Sequence, residues 1–314
     1  MTLLLTRTQI TRHLDLDAAL AALRTGFAAA PTGPRPLRTH TALPGPGTAT
    51  ALLPGLIDGT PAYTVKVNAK FPGATPALRG VVCLHDLTEG ALLAVLDSAT
   101  VTAWRTGLAA ALATHVLAPE CADRVSIIGA GAQARMVLRG LGRLRAVRRL
   151  TVHDVDPQRA AAFAAEQGRL LGITVEVAAD PRSAAAGGGI VVLATWSRTP
   201  LLDLADLRPG THLTSLGVDE PGKAELTGGL LREARTVVDD LELAQEVGAL
   251  KGHGPVADAT FGEVLRGERA GREDGAQLTV YAPVGLPWQD LALAWPTYRA
   301  ACAAGDAPGV DFLA

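Results

Sequence analysis

The sequence has few cysteines and no long apolar segment, and these two absences exclude several classes of protein. Among 314 residues only Cys83, Cys121 and Cys302 are cysteines, and they are far apart, odd in number and without metal-ligand spacing. Together with a first segment, Met1–Arg7, that lacks a signal-peptide pattern, they predict free thiols in a reducing cytoplasm. No run approaches the roughly 20 apolar residues that span a bilayer, so we expect no membrane insertion.

The charged residues give no indication of a polyanionic partner. The 29 basic and 31 acidic residues are interspersed and leave a net charge of -2, so neither nucleic acid nor an anionic membrane surface is expected to bind. The 7 histidines show no metal-ligand clustering, which predicts no bound metal. There is also no Gly-x-Ser-x-Gly and no cysteine in a turn-helix context. A small molecule is therefore the expected ligand.

A glycine-rich turn follows a β-branched run at residues 124–128 and opens a helix-like segment. In such a turn the first glycine permits the tight bend, and the second lets the backbone approach a pyrophosphate. The helix N-terminus that follows offers unpaired N–H groups. Gly-Ala-Gly also occurs in ordinary tight turns, so the surrounding sequence decides. The predicted cofactor-binding positions of this turn are Gly129, Gly131, Ala132 and Gln133.

The residues after this turn alternate between helical and extended patterns. The next apolar run ends at Asp154, where a carboxylate would bond the ribose 2′-OH and favour NAD. NADP use, with Arg159 on the 2′-phosphate, is the alternative. Further extended runs cover 173–177, 190–194, 211–215 and 277–281. The alternation predicts an α/β fold with a Rossmann-type doubly wound parallel sheet.

About 120 residues precede the glycine-rich turn, enough for a separate domain. Within them we predict a helix at 14–30, a rigid extended piece at 31–36, a mostly antiparallel sheet and a long helix at 98–118. The sheet segments are 48–53, 62–71 and 80–84. The predicted organisation is a smaller α+β domain at 1–118, a dinucleotide-binding Rossmann domain at 119–288, and a C-terminal helical segment, 289–314, that returns to the first domain.

The segment at 64–71 alternates with period two and separates two faces. Val65 and Val67 lie on one face, which we predict to be core. Lys66, Asn68 and Lys70 lie on the other. This second face is either a solvated outer surface or an anion-binding wall.

Arg105 stands in an otherwise small and apolar helix, where burial would require an anionic partner. A surface position is the alternative, but a substrate carboxylate matches the guanidinium geometry. Arg38 is either a second group of this kind or a loop arginine.

Asp219 follows the extended run at 211–215. Ligands in doubly wound sheets bind beyond the carboxyl ends of the strands, so Asp219 is placed as a catalytic acid or base. The alternative is a turn aspartate that caps the next segment. Thr195, after the run at 190–194, shares this location and is expected to line the cofactor.

In combination, several segments resemble the ornithine cyclodeaminase and mu-crystallin family over roughly residues 30 to 300. The arginine-threonine helix and the Gly-x-Asp-x-Pro-Gly-Lys segment are the specific pair. The matching segments are Pro36-Leu-Arg-Thr39, Val65-Lys66, Phe71-Pro-Gly73, Thr102-Ala-Trp-Arg-Thr106, Gly129-Ala-Gly-Ala-Gln-Ala134, Gly217-Val-Asp-Glu-Pro-Gly-Lys223, Glu225-Leu226 and Val284-Gly-Leu-Pro-Trp-Gln-Asp-Leu291.

This resemblance implies a homodimer whose first domain forms the subunit interface and holds the substrate against a nicotinamide. It implies that the substrate carboxylate binds Arg38, Lys66 and Arg105. Asp219, with Lys66, is the implied catalytic group, which contacts the substrate nitrogen and handles its proton. The implied neighbours of the nicotinamide are Val284 and Gly285.

One departure from the family pattern bears on the substrate. Ornithine cyclodeaminases carry a glutamate, which meets the distal amine, at the position of Ala51. We therefore predict an NAD(P)-dependent oxidoreductase acting on the C–N bond of a small amino or imino acid, either an amino-acid dehydrogenase or a cyclic ketimine reductase. The alternatives are a cyclodeaminase that releases ammonia with NAD recycled, and a non-enzymatic mu-crystallin-like binding protein.

Overall fold

A computed structural model describes residues 1–29, 34–220, 222–253 and 257–314. Half of the predicted extended piece at 31–36, the last residue of the predicted helix at 14–30, and Pro221 of the Gly-x-Asp-x-Pro-Gly-Lys segment lie outside these ranges. Among the described residues, no helix combines the length and the apolar character needed to cross a bilayer.

The strands are β1 (Thr2–Leu5), β2 (Leu37–Ala42), β3 (Thr48–Gly55), β4 (Ala62–Lys70), β5 (Leu78–Asp86), β6 (Leu92–Asp97), β7 (Arg124–Ile128), β8 (Arg149–His153), β9 (Val175–Val177), β10 (Ile190–Leu193), β11 (His212–Ser215), β12 (Arg235–Val238), β13 (Ala257–Thr260), β14 (Thr279–Tyr281) and β15 (Gly309–Val310). The helices are α1 (Arg7–His13), α2 (Leu16–Ala28), α3 (Ser98–Leu117), α4 (Ala132–Leu144), α5 (Pro157–Leu171), α6 (Pro181–Ala185), α7 (Gly228–Glu233), α8 (Leu241–Glu246), α9 (Phe261–Leu265) and α10 (Trp288–Ala304), with a 3-10 turn at Leu204–Asp206.

The chain divides into two compact units. Unit 1 comprises Met1–Arg105 and Leu286–Ala314, and unit 2 comprises Thr106–Gly285. The first division falls inside α3, after Arg105, and the second falls just before α10. Unit 2 is thus one continuous segment, and unit 1 is built from both ends of the chain.

Unit 1 contains a mixed sheet in the order β15-β1-β6-β5-β4-β3-β2. β1 and β6 pair in parallel, and the other neighbours are antiparallel, as the sequence predicted for this region. Asp15 caps α2 by accepting a hydrogen bond from Ala18 N. α10 packs on α2, where the Trp288 ring meets Phe27 edge-on at 4.9 Å. This packing fixes the start of α10 within unit 1.

Unit 2 is an open sheet of parallel strands in the order β13-β12-β14-β11-β10-β7-β8-β9. The central strand β10 is apolar along its length because both sheet faces are buried there. The chain runs outward from β7 to β9 and then returns to β10 on the other side of β7. This reversal is the topological switch at which such sheets bind nucleotides. The predicted α/β fold with a Rossmann-type doubly wound sheet is confirmed.

Small residues bring α3 and α4 close together inside unit 2. A side chain at Gly107 would collide with Met136 at 2.2 Å, and one at Gly140 would meet Ala111 at 2.6 Å. The alanine-rich composition of α3 therefore serves close helix packing.

Candidate active site

A buried ionic cluster in unit 1 contains two of the predicted substrate-binding residues. Lys66 of β4 and Asp290 in the first turn of α10 are each 1% exposed, and Arg105 of α3 is also buried. The Lys66 Nζ lies 2.8 Å from Asp290 Oδ1 and 2.6 Å from Oδ2. Arg105 Nη1 donates to Gln289 Oε1 at 3.1 Å, and its Nε lies 3.6 Å from Asp290 Oδ1. The two cations therefore share one carboxylate.

The prediction that the valine face of β4 forms the core is wrong. Val67 is 49% exposed, whereas Lys66 and Asn68 are buried. The period-two alternation was correct, but the choice of face was not, because Asp290 and α3 supply polar partners for the lysine face. The lysine side of the sheet is therefore buried and polar.

The surroundings of Lys66 lower its pKa to about 7. Burial is the main cause because it disfavours the ammonium form, and the positive charge of Arg105 acts in the same direction. Asp290 raises the pKa and so offsets part of this effect, while Arg38 lowers it further. Lys66 can therefore gain or lose a proton near neutral pH.

Arg38 belongs to the same face of the sheet. It lies in β2, opposite Leu52 of β3, and Leu52 in turn lies opposite Lys66 of β4. Arg38 is thus a strand residue and not a loop arginine. Ala51 pairs with Val67 on the other face, and neither Ala51 nor Leu52 carries a carboxylate.

The glycine-rich turn of unit 2 fits a pyrophosphate. Gly129 has φ of 98°, a left-handed conformation that favours glycine, and a side chain there would meet Ala194 O at 2.5 Å. A side chain at Gly131 would meet nothing within 4 Å, so the backbone there is open to a ligand. Ala132 begins α4, and the buried Oε1 of Gln133 has no hydrogen-bond partner among the described residues. An open backbone and an orphaned polar atom match a bound cofactor.

Asp154 lies at the end of β8, next to this turn, as predicted. Its Oδ2 accepts from Ala130 N at 2.8 Å, and its Oδ1 accepts from Asp156 N at 2.9 Å. Arg159, the alternative contact for an NADP phosphate, lies 3.3 Å from Asp154 and 3.4 Å from Asp156. The carboxylate therefore stabilises the glycine-rich turn and also holds Arg159.

Thr195 follows β10 and is joined to the loop after β11 through Glu225. The fully buried Glu225 accepts from Thr195 N at 2.8 Å and Thr195 Oγ1 at 2.7 Å. It also accepts from Ser215 Oγ at 2.7 Å and Gly217 N at 2.9 Å. Burial raises the pKa of this carboxyl although the hydrogen bonds oppose the shift. One side chain thus ties together two loops at the carboxyl end of the sheet.

Asp239, which follows β12, plays a similar part for the predicted nicotinamide neighbours. Its carboxylate accepts from Val284 N at 2.9 Å and from Gly285 N at 2.6 Å. The backbone of this segment is therefore held by a buried acid.

Asp219 follows β11 in unit 2 and is half-buried. Lys223 Nζ donates to Asp219 Oδ1 at 2.9 Å and lies 2.8 Å from Glu220 Oε1. The ammonium also stands over the Trp196 ring, 5.7 Å from its centroid. A cavity of about 280 Å³ opens beside this loop, where Val218, Lys223 and Glu225 line it. A carboxyl group held beside an ammonium in this way can exchange a proton with a ligand.

Sequence reasoning missed four polar residues that hold these groups. Asp290 and Gln289 follow Pro287 at a helix start, where acids favour the helix N-terminus, and that was the available signal. Glu225 and Asp239 carry no local signal, because their partners lie on other loops. The four missed residues are Glu225, Asp239, Gln289 and Asp290.

The doubly wound parallel sheet and open glycine-rich turn of unit 2 are typical of nucleotide-dependent enzymes. The profile of the ornithine cyclodeaminase/mu-crystallin family matches residues 1–304. The chain belongs to this family, as the sequence predicted.

Three relatives are similar over nearly the whole chain. An archaeal alanine dehydrogenase dimer with bound NAD is 28% identical, with a TM-score of 0.90 and coverage of 99% of both chains. The Delta(1)-pyrroline-2-carboxylate reductase of Thermococcus litoralis, in complex with NADH and L-proline, is 27% identical, with a TM-score of 0.91 and coverage of 98% of this chain and 100% of its own. Ketimine reductase mu-crystallin of Mus musculus is 29% identical over 291 residues, which are 90% of each chain.

Proposed function

We propose that this protein is an NAD-dependent oxidoreductase that acts on the C–N bond of a small α-amino or α-imino acid. The observation that carries the proposal is the pair of buried basic side chains in unit 1 that face one carboxylate. Lys66 and Arg105 share the single carboxylate of Asp290, and Arg38 lies on the same sheet face. Two basic groups that share one carboxylate can bind a second anion, and a substrate carboxylate supplies it.

In the proposed binding step, the carboxylate is held by the guanidinium groups of Arg38 and Arg105 and by the Lys66 ammonium. Arginine presents paired donors that match the two carboxylate oxygens, which orients the substrate as well as binding it. Because the pKa of Lys66 is about 7, the incoming negative charge favours its protonated form. Substrate binding and protonation of Lys66 are therefore linked.

In the proposed chemical step, Asp219 exchanges a proton with the substrate nitrogen. Lys223, 2.9 Å from Asp219, favours the carboxylate form that accepts this proton. Lys66 also takes part in proton exchange in this proposal, because its pKa lies near neutrality. The nicotinamide, when bound, supplies or accepts the hydride at the substrate Cα.

The residues that would hold the cofactor are those of the glycine-rich turn, together with Asp154, Thr195 and the Val284-Gly285 backbone. Asp154 favours NAD, since its charge repels a 2′-phosphate and its oxygens suit a ribose hydroxyl. Relatives of this chain have been solved with NAD and NADH. NADP use through Arg159 is a secondary possibility within this proposal.

The decisive experiment is a screen of amino acids and cyclic imines with NAD(H) and NADP(H), in which nicotinamide absorbance and ammonia are followed together. Reversible absorbance change with at least one amino or imino acid is expected. Ammonia release without net change in NADH would instead select a cyclodeaminase. Asp219→Asn should reduce turnover at least about a hundredfold, since general acid-base groups contribute about that much. Unchanged turnover in Asp219→Asn would overturn the role of Asp219, and no signal with any substrate would support a binding protein and overturn the proposal.

We further propose that the protein is a homodimer formed through unit 1. Leu37, Val67 and Val81 share the outward face of the sheet and are 58%, 49% and 40% exposed. Exposed apolar side chains grouped on one sheet face are typical of a subunit interface. The archaeal alanine dehydrogenase described above is a dimer. A cytoplasmic location is part of the proposal and fits Cys83, Cys121 and Cys302, which are free thiols.

A further inference from the structure

Two rows of side chains cross the buried face of the sheet in unit 1, two residues apart along each strand. The cationic row contains Arg38, Leu52 and Lys66, which lie opposite one another on β2, β3 and β4. The neutral row contains His40, Thr50, Asn68 and Gly80, which are likewise opposite one another on β2 to β5. The two rows are therefore neighbours on one surface.

Two members of the neutral row, Thr50 and Asn68, are hydrogen-bonding groups that are removed from water, and His40 is half-buried. Thr50 and Asn68 are 7% and 6% exposed, and His40 Nδ1 lies 3.1 Å from Thr50 Oγ1. Helix α3 covers this face with Ser98, Thr102 and Arg105, which lie on one side of the helix. Thr102 lies 3.5 Å from Lys66 Nζ, whereas Ser98 meets the neutral row at Gly80.

Two polar atoms at this point lack a partner among the described residues. They are Asn68 Oδ1 and Ser98 Oγ, and both belong to buried residues. Buried polar groups are almost always hydrogen-bonded, so unpartnered ones indicate a missing ligand or water. Gly80 has φ of 151°, and a side chain there would meet Val67 O at 2.0 Å and Ser98 Oγ at 3.0 Å, so this position excludes side chains from the neutral row.

On the side of the cationic row away from the neutral row, packed backbone leaves no room for a substrate side chain. Next to the cationic row on that side, a side chain at Gly55 would meet Thr64 Oγ1 at 2.1 Å and Pro287 O at 2.5 Å. A substrate whose carboxylate binds the cationic row therefore finds packed backbone on one side and polar side chains on the other.

We propose that the neutral row, with Ser98, is a subsite for a short substrate side chain that ends in an uncharged hydrogen-bonding group, a hydroxyl or a carboxamide. This inference rests on the proposed function. Two residues along a strand span about 6.6 Å, which places the polar group of the substrate two or three carbons from its carboxylate. The row carries no carboxylate to neutralise an ammonium, and its unpartnered Asn68 oxygen accepts a hydrogen bond from a hydroxyl or an amide.

The test compares kcat/KM for substrates in size-matched pairs, each with one polar and one apolar member. The pairs are L-serine with L-2-aminobutyrate, L-threonine with L-valine, L-homoserine with L-norvaline, L-asparagine with L-leucine, and 4-hydroxy-L-proline with 4-methyl-L-proline. The wild type is expected to prefer the polar member of at least one pair by about tenfold or more, as sites with buried polar groups reject the analogue that leaves them unpaired.

Asn68→Leu and Thr50→Val should each bring this ratio towards unity, and Thr25→Val, on the exposed side of α2, should leave it as in the wild type. Dissociation constants for NADH, measured by fluorescence titration, check that the variants are folded. A wild type that favours the apolar members, or a ratio that both variants leave unchanged, would overturn the subsite and make the neutral row a structural feature satisfied by water. Absence of turnover with either member of every pair would overturn the proposed function itself, and the subsite with it.

Discussion

Lys66 is buried, has a shifted pKa and has a proposed role in substrate binding. Its pKa of about 7 lies below the ordinary value of 10.5 because burial and Arg105 disfavour the charged form. At pH values below 7 the side chain is an ammonium ion that attracts a carboxylate, and above 7 it becomes neutral. Carboxylate affinity is therefore expected to fall by up to about tenfold per pH unit above pH 7.

This prediction is measured with propanoate, which has no titratable amine, by calorimetry between pH 6 and 9 in buffers of different ionisation enthalpy. Proton uptake on binding should rise from near zero at pH 6 towards one at pH 8. Lys66→Met should abolish the dependence. Asp290→Asn should move the break to lower pH because Asp290 raises the pKa of Lys66, and Asp311→Asn serves as an exposed control. A pH-independent affinity in the wild type would contradict the assignment.

The position of Lys66 also marks the limit of what its own strand predicts. The alternation in β4 separated two faces correctly, but the valines indicated the wrong one as core. The lysine face is buried because Asp290 pairs with Lys66 across 224 positions of sequence. No local pattern contains that partner, so the sequence predicted the anion-binding role as one of two alternatives and not the burial.

Among the secondary structure elements, the loops after β10 and β11 depend on one carboxylate. Glu225 accepts four hydrogen bonds from Thr195, Ser215 and Gly217. Glu225→Gln keeps the shape but turns an N–H₂ group towards backbone and hydroxyl donors. We expect the free energy of unfolding to fall by about 1–3 kcal/mol, as for a buried hydrogen-bonding group left unsatisfied.

Urea unfolding measures this change, and titration with NADH should show weaker binding because Thr195 is displaced. Glu233→Gln, at an exposed position of α7, is the matched control. Equal stability of Glu225→Gln and the control would mean that the two loops are held by other contacts.

The strands β7 to β11 and β14 of unit 2 were predictable because each carries a strong local signal, whereas β12 and β13 were not predicted. The extended runs and the glycine turn are local features, and they gave the doubly wound sheet with small errors at the strand ends. The order β13-β12-β14 at one edge was beyond such reasoning, because the chain enters β14 last and inserts it between β11 and β12. The position of a late strand in the sheet depends on tertiary contacts, which the periodicity of its own residues does not predict.

For the molecule as a whole, His212 makes stability depend on pH. It is fully buried in β11, with Nδ1 2.8 Å from Thr279 Oγ1 and Nε2 3.0 Å from Thr214 Oγ1. Burial, with Arg272 and Arg145, lowers its pKa to about 3 from 6.5. Between these values the unfolded chain binds a proton that the folded chain does not, so stability falls as the pH drops below about 6.5.

The expected contribution is up to about 1.4 kcal/mol of unfolding free energy per pH unit between pH 6 and 4. Urea unfolding of the wild type and of His212→Gln at several pH values measures it, and the variant should show a shallower dependence. His253→Gln, at an exposed position, should retain the steeper dependence. Parallel curves for the wild type and His212→Gln would rule out this source of acid sensitivity.

The proposed dimer is also a property of the whole molecule. Val67→Asp places a charge in the apolar sheet face of unit 1 and should convert the dimer to a monomer at micromolar concentration, because burial of an unpaired charge is costly. Analytical ultracentrifugation distinguishes the two states. Val177→Asp, at an exposed strand position of unit 2, should remain dimeric. A monomeric wild type, or a dimeric Val67→Asp, would exclude this interface.

The discontinuity of unit 1 has a consequence for the order in which the protein is made on the ribosome. Lys66 and Arg105 are synthesised early, whereas Asp290 emerges only after the whole of unit 2. Until then the two cations lack the carboxylate that they share in the finished protein. A nascent chain therefore contains every strand of its parallel sheet before the residue that pairs with Lys66 and Arg105 is synthesised.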